Sequence, residues 1–242
     1  MIQPGTVTTI VMLPTFDEAG NIEKLLREIL SLNDSIGTVV VDDNSPDGTS
    51  SIVAKLEKEF PQQITLITRT SERGRATAGI RGHLEAIRLK PAFITEMDAD
   101  FSHDPRYIST FLKEIQDCDV VLGSRFVPGG KDSDRSPFRT LLSVLSGIVF
   151  RTILGLQVRD IGSGFKLYKR EVLESLPWNE FFSYGIAISM EECFRIVKKG
   201  YRVKEVPIIF VDRRAGYSKL KWKDFFEPVW VSIKLAATFG RA

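Results

Sequence analysis

Short apolar runs, each closed by a polar or acidic cluster, alternate with segments of helical periodicity through the first half of this chain. That alternation leaves few folds open. Thr8 to Leu13 is an apolar run closed by Pro14, and Thr38 to Val41 is a second, closed by Asp42-Asp43-Asn44-Ser45-Pro46-Asp47-Gly48. Ile64 to Thr68 is a third, and Ala92 to Met97 runs into Asp98. Between them, Gly20–Leu32, Thr49–Phe60 and Ala76–Leu89 place apolar residues at helical spacing. Asp104-Pro105 supplies an N-cap and a first-position proline for a further helix, and Asp119 to Gly123 is another strand. Strand–helix repetition of this kind predicts a mostly parallel, doubly wound α/β sheet.

After Ser124 the alternation fades. A long amphipathic helix follows Pro137, with Leu141, Leu142, Leu145, Ile148, Val149, Thr152 and Ile153 as its stripe. A turn at Gly162-Ser163-Gly164, a helix near Met190–Lys198 and a strand over Val203–Phe210 come next. A last amphipathic helix carries Phe226, Val229, Trp230, Ile233 and Ala237. No repeat or Gly/Ser-rich linker interrupts 242 residues, so one domain is expected over 1–242. Residues 1–125 would form a nucleotide and metal half, and 126–242 an acceptor, lid and membrane-facing half.

The run Met97-Asp98-Ala99-Asp100-Phe101-Ser102 carries the most chemical information. Carboxylates at the carboxyl end of a buried parallel strand face the crevice where open α/β sheets bind ligands. Two hard oxygen donors there suit Mg²⁺ or Mn²⁺ held jointly with phosphates. A strand-end turn satisfying its own amides is the bland alternative, and for an isolated pair it would be the better one. Pro14-Thr15-Phe16-Asp17-Glu18 and Val41 to Ser45 end adjacent strands in the same way and would form an edge pocket. Carboxylates there accept from a base or ribose, and Phe16 covers the base. Neither G-x-x-x-x-G-K-[ST] nor G-x-G-x-x-G occurs, which argues against P-loop and standard dinucleotide chemistry.

The net charge of +2 hides an asymmetry, since Arg195 to Ala242 holds 12 Lys and Arg against 4 Asp and Glu. A basic C-terminal segment suits an anionic partner, either phosphates or a lipid surface. No nucleic-acid motif accompanies it, so nucleic acid is not expected. Cys118 and Cys193 lack metal-like spacing and read as reduced core thiols. No signal peptide is evident. The longest apolar run, Leu141 to Phe150 between Arg139 and Arg151, falls short of the roughly 18 residues of a membrane span. Arg139 and Ser143 sit four apart, on a helix face distinct from the Leu/Ile stripe. Arg125 follows a strand into the same crevice, and guanidiniums of this kind suit phosphate capture.

Three segments occur in order: Val41-Asp42-Asp43-Asn44-Ser45-Pro46-Asp47-Gly48-Thr49, then Asp98-Ala99-Asp100-Phe101-Ser102-His103-Asp104-Pro105, then Gly123-Ser124-Arg125-Phe126-Val127-Pro128-Gly129-Gly130. Together they resemble the inverting family-2 glycosyltransferases of GT-A fold, and within them the polyprenyl- and dolichyl-phosphate mannosyltransferases. The resemblance spans about Thr8 to Lys221. It implies a Rossmann-like GT-A sheet with C-terminal amphipathic helices, and transfer of mannose from GDP-mannose to a polyprenyl phosphate. A UDP-sugar donor such as UDP-glucose is the alternative, and a non-catalytic nucleotide-binding subunit the alternative of another class.

By that resemblance Pro14, Phe16, Glu18, Val41 and Asp43 line the nucleotide pocket, while Asp98, Ala99 and Asp100 contact the donor diphosphate. Asp98, Asp100 and Ser102 form the metal site, Ser102 standing where the group often has Gln. Arg125, Arg139 and Ser143 hold the acceptor phosphate. Arg213-Arg214-Ala215-Gly216-Tyr217-Ser218-Lys219 matches the family's R-x-x-G-x-S-K loop, with Arg213 and Lys219 on the donor diphosphate. Asp160, Ser163, Gly164 and Phe165 match its D-x-x-S-G-F turn, which shapes the sugar pocket near Glu191; Ala187 stands where some relatives carry a cation. Asp98, Asp100 and Arg125 are the expected catalytic set. Peripheral association with the cytoplasmic face of a membrane is implied, with a separate anchoring subunit as a further expected partner.

Overall fold

A computed structural model describes residues 2–71, 73–133, 137–211 and 226–242, the side chains of 137–139 excepted. The expected alternation is present: β1 (Thr9–Thr15), α1 (Ile22–Ser31), β2 (Ile36–Asp42), α2 (Thr49–Glu59), β3 (Ile64–Thr68), α3 (Arg75–Arg88), β4 (Phe93–Glu96), α4 (Tyr107–Glu114) and β5 (Val120–Ser124). Then follow β6 (Lys131–Ser133), α5 (Pro137–Leu154), β7 (Lys166–Lys169), α6 (Arg170–Glu174), α7 (Ile188–Lys198), β8 (Val203–Pro207), β9 (Ile209–Val211) and α8 (Glu227–Phe239).

One sheet of seven strands runs in the order β3-β2-β1-β4-β7-β5-β8, and β6 pairs with β9 beside it. β1 is hydrogen-bonded to parallel β2 on one side and parallel β4 on the other. The chain winds outward from β1 to β3 and returns to β4. That reversal puts a crevice at the carboxyl ends of β1 and β4. Every residue of β2 is buried, as expected for a strand covered by helices on both faces. α1 packs Ile22, Leu25, Leu26 and Ile29 into the core at full burial, each worth about 1.5–3 kcal/mol of apolar transfer. Truncating Leu25 to Ala would cost about 2–5 kcal/mol.

Several elements differ from the sequence reading, β6 and α6 being unanticipated short ones. The segment read as one strand over 203–210 is two, β8 in the main sheet and β9 beside β6, split at the buried Ile208. The regular helix expected from Asp104-Pro105 begins at Tyr107. Asp104 closes a turn ahead of it, its carboxylate accepting from the Arg106 N–H (2.9 Å) and its carbonyl from the Tyr107 N–H (3.1 Å). β7 was not anticipated at all. It lies antiparallel between β4 and β5, and Lys166 at its start is 1% exposed.

α5 and α8 pack against each other. α8 buries Val231 and Leu235, while Leu141, Leu142, Leu145, Ile148 and Val149 of α5 and Val229, Trp230 and Ile233 of α8 stay exposed. The stripes read from periodicity therefore face outward. Among the described residues no helix is long and apolar enough to cross a membrane.

Candidate active site

The carboxyl ends of β1, β2, β3, β4 and β5 deliver the site. Three residues just past these ends, Asp17 (φ 59°), Asn44 (φ 53°) and Phe101 (φ 62°), hold left-handed backbone. For a bulky side chain such as Phe101 that conformation is strained, and strain of this kind collects at ligand-binding turns. It folds Asp100 back over its own turn, so that Asp100 Oδ1 accepts from the Ser102 N–H at 3.0 Å and the Ser102 hydroxyl at 2.5 Å. Ser102 is 2% exposed. The Ser102 hydroxyl thus orients Asp100, while its oxygen keeps the lone pairs by which it would serve a cation. Ala99 is buried beneath the turn.

His103 is the hub that sequence reasoning passed over, although it stands inside the quoted Ser102–Pro105 segment. Its Nδ1 accepts the Asp98 N–H at 3.0 Å, so the ring proton sits on Nε2. The ring stacks on Phe165 (4.9 Å) and meets Phe210 edge-on (5.4 Å). Burial pushes its pKa down, opposed by Asp98 and Asp100 and assisted by Arg125 and Arg75. Those four charges thus converge on one neutral imidazole. Asp98 and Asp100, partly exposed at the crevice, are a donor set that fits Mg²⁺ or Mn²⁺.

At the nucleotide end, Pro14, Phe16 and Glu18 are half-buried. Arg73 lies over the Phe16 ring, 5.5 Å from its centre. The Glu18 carboxylate accepts from the Asn21 side chain at 3.0 Å. Asp43 is 6% exposed and holds Arg69 Nε at 2.6 Å and the Gly74 N–H at 2.8 Å, tying β2 to the start of α3. Asp42, fully buried, accepts from the hydroxyls of Thr15, Ser45 and Ser50 and is a turn anchor. The Val41 side chain is in the core with Ile10 and Val39, so only its backbone is available to a nucleotide. Arg69, Arg73 and Arg75 were missed. Their signal was a basic triplet around Gly74 between a strand and a helix.

At the other end, Arg125 forms a bidentate pair with Asp160, Nε to Oδ2 at 2.8 Å and Nη2 to Oδ1 at 2.7 Å. Its pKa is raised: burial opposes the charge, and the Asp160 pair outweighs it. The guanidinium also lies over Phe126 and Phe210. The 160–165 turn is sewn to β5 by the Ser163 hydroxyl on the Gly123 carbonyl at 2.6 Å. Glu191 serves the fold, accepting from the Ser183 N–H and from Arg195 at 2.9 Å each. Ala187 is buried. Ser143 is half-buried on the inward side of α5, opposite the exposed stripe. The Arg139 side chain, Arg213 and Lys219 lie outside the described residues. The segment that carries Arg213 and Lys219 follows β9, whose Val211 N–H donates to the Ser102 carbonyl at 3.3 Å, beside the acidic turn.

Behind the crevice is a second polar cluster. His83, Glu96 and Glu192 bring ligand-type atoms within 4.8 Å of one another, all buried. Each carboxylate already has a cation, Arg75 at 3.0 Å from Glu96 and Lys166 at 3.0 Å from Glu192. Burial pushes His83 down to about 4. Burial, then Glu192, push Glu96 up to about 7, against Arg75.

Comparison with known proteins places these features in context. The sequence profile described as Glycosyl transferase family 2 matches residues 10–176. A polyprenol monophosphomannose synthase of Mycolicibacterium smegmatis is 32% identical over 226 residues, covering 93% of this chain and 85% of that protein. An undecaprenyl-phosphate mannosyltransferase of Micrococcus luteus is 32% identical over 87% of this chain and 86% of its own length. A dolichol-phosphate mannosyltransferase of Pyrococcus furiosus is 38% identical over 90% of this chain and 60% of its own length. Among solved structures, glucosyl-3-phosphoglycerate synthase of Mycobacterium tuberculosis, in complex with Mn²⁺, UDP and glucosyl-3-phosphoglycerate, superposes with a TM-score of 0.65 at 17% identity. The match covers 98% of this chain and 81% of that one. At that identity the likeness establishes the GT-A fold.

Proposed function

The chain belongs to glycosyl transferase family 2 and is a glycosyltransferase, and from that premise we propose that it moves mannose from GDP-mannose to the phosphate of a polyprenyl lipid, giving polyprenyl-phosphate-mannose. The observation that carries this reading is the agreement of three relatives, matched over most of the chain, whose names join mannose to a polyprenol, undecaprenyl or dolichol phosphate. The outward apolar faces of α5 and α8 support a lipid acceptor, since an enzyme acting on a membrane lipid must reach the interface. We read residues 1–242 as one domain, because β7 and β8 from the second half complete the sheet begun by the first.

In this reading the reaction is in-line displacement at the anomeric carbon by a phosphate oxygen. A phosphate monoester has its second pKa near 6 and is anionic at neutral pH, so no residue need act as general base. Pro14, Phe16, Glu18, Asp43 and the Val41 backbone position the nucleotide. Asp98 and Asp100 would hold Mg²⁺ or Mn²⁺, Asp100 in the orientation set by Ser102 and Ala99 packed below. A bound divalent cation supplies charge neutralisation for the departing nucleoside diphosphate. Arg125, oriented by Asp160, joins Arg139 and Ser143 at the acceptor phosphate. Arg213 and Lys219 act on the diphosphate from the loop after β9. Catalysis is then positioning and fixed charge. The partners are a nucleotide sugar, a polyprenyl phosphate and the cytoplasmic membrane surface, with an anchoring subunit as a further candidate.

GDP release tests the proposal. With GDP-mannose, GDP should appear only when a polyprenyl phosphate and Mg²⁺ or Mn²⁺ are both present. Lipid-dependent release of UDP from UDP-glucose instead would keep the enzyme class and overturn the donor. Release indifferent to the lipid would overturn the acceptor.

A further inference from the structure

Arg75, the first residue of α3, stands between the acidic turn and the buried cluster behind it. Its guanidinium reaches both ways: Nη1 is 3.0 Å from Glu96 Oε1 and Nη2 is 3.1 Å from Asp98 Oδ1. Behind it Glu96 is 1% exposed. His83 Nε2 lies 3.3 Å from Glu96 Oε2, and the His83 ring is stacked on Trp178 at 5.1 Å. Glu192, 3.7 Å from the same nitrogen, is held by Lys166 (3.0 Å) and by the Tyr168 hydroxyl (3.1 Å). In front, Gly164 covers the pair so closely that a Cβ there would lie 3.1 Å from Arg75 Nη2 and 3.9 Å from Asp98 Oδ1. The guanidinium is therefore boxed between a fixed buried carboxylate and a backbone turn, with Asp98 at its end.

We propose that Arg75 is a positioning residue of the donor site: with Glu96 it braces the Asp98 carboxylate in the orientation a divalent cation requires. The inference rests on the reading of Asp98 as a cation ligand. A planar fork can bridge two carboxylates at once, which a lysine ammonium on a flexible stem does poorly. Glu96 gives the brace its second function. A lone guanidinium beside a cation site would repel the incoming ion, and the buried carboxylate behind it offsets that charge. The brace thus adds orientation at a reduced cost in charge, and a ligand already held in place loses less freedom when the ion binds. Removing orienting partners of this kind typically weakens metal sites about 10–100-fold.

The test is a titration of free Mn²⁺ by electron paramagnetic resonance, with GDP present, on the full chain. Arg75→Met and the double variant Arg75→Met/Glu96→Leu should each raise the half-saturating Mn²⁺ concentration by about tenfold or more. The double variant removes the brace as a pair, so it leaves no orphaned buried charge to explain the shift. Arg75→Lys, which keeps the charge and loses the bridge, should also raise it, and it decides the matter if the other two fail to fold. Unchanged half-saturation in the folded variants overturns the brace. Asp98→Ala should lose Mn²⁺ binding altogether. If it binds Mn²⁺ like the parent, the cation reading itself fails, whatever Arg75 does.

Discussion

Asp42 and Asp43 are adjacent, both acidic and both at the end of β2, yet they have different tasks. Asp42 is fully buried under three hydroxyls, whereas Asp43 clasps Arg69 and the start of α3. Residue type and spacing pointed to this turn but could not apportion its bonds, because the partners Ser50, Arg69 and Gly74 come from other elements. Ser102 makes the same point. Its place after Asp100 suggested a third ligand, and only the left-handed Phe101 shows that the hydroxyl turns back on Asp100. Ser102→Ala should therefore weaken activation by Mn²⁺ about tenfold, as loss of an orienting partner does, while Asp100→Ala should abolish it. Equal, complete losses in a metal titration would give Ser102 the weight of a direct ligand instead. His103 and the arginines around Gly74 escaped the sequence reading because their importance lies in convergence across strands far apart in the chain.

At the scale of elements, β1 to β5 were legible because each is a largely apolar run between turn signals. β7 was not, since its first residue is a lysine and buried lysines defy the pattern. The structure resolves the conflict by pairing Lys166 with Glu192 at 3.0 Å. Lys166→Met alone leaves Glu192 buried and unpaired and should cost about 3–5 kcal/mol in urea unfolding. Lys166→Met with Glu192→Leu should recover most of that loss, and a double variant as unstable as the single would contradict the pairing.

The same cluster shapes the pH response. His83, held at about 4 when folded, stays neutral where the unfolded histidine protonates, so its contribution to stability is intact above about pH 6.5 and is lost as pH falls toward 4. Glu96, at about 7 when folded, takes its proton earlier than the unfolded carboxyl, so its contribution grows as pH falls from about 7 toward 4.5. Glu192, Arg75 and Lys166 face the same two groups. Between pH 7 and 5 the two slopes oppose each other. His83→Gln should remove one of them and gain on the order of 2 kcal/mol in relative stability on going from pH 7 to 5. Urea midpoints at the two pH values check this, and a wild-type-like response would contradict it.

For the whole molecule, the ordered motifs conveyed the family and the α/β class, and periodicity found the apolar stripes of α5 and α8. Periodicity could not say which side of each helix faces the sheet, because an apolar stripe is equally suited to a core or a lipid interface. The exposed stripes place Leu145 and Trp230 on the outside, at 50% and 47% exposure. Leu145→Glu with Trp230→Glu should fold normally and bind anionic phospholipid vesicles about tenfold more weakly in cosedimentation. Undiminished binding would put the membrane contact elsewhere.

The central claim joins a mannose donor to a lipid phosphate, and one measurement reaches both halves. Labelled GDP-mannose, UDP-glucose and UDP-N-acetylglucosamine are each incubated with the protein, a polyprenyl phosphate in detergent and Mg²⁺ or Mn²⁺, and the label is followed into the organic phase. The account requires label in lipid from GDP-mannose alone, lost in Asp98→Ala and sharply reduced in Arg125→Ala. Label from a UDP-sugar alone, or none from any donor, would contradict it.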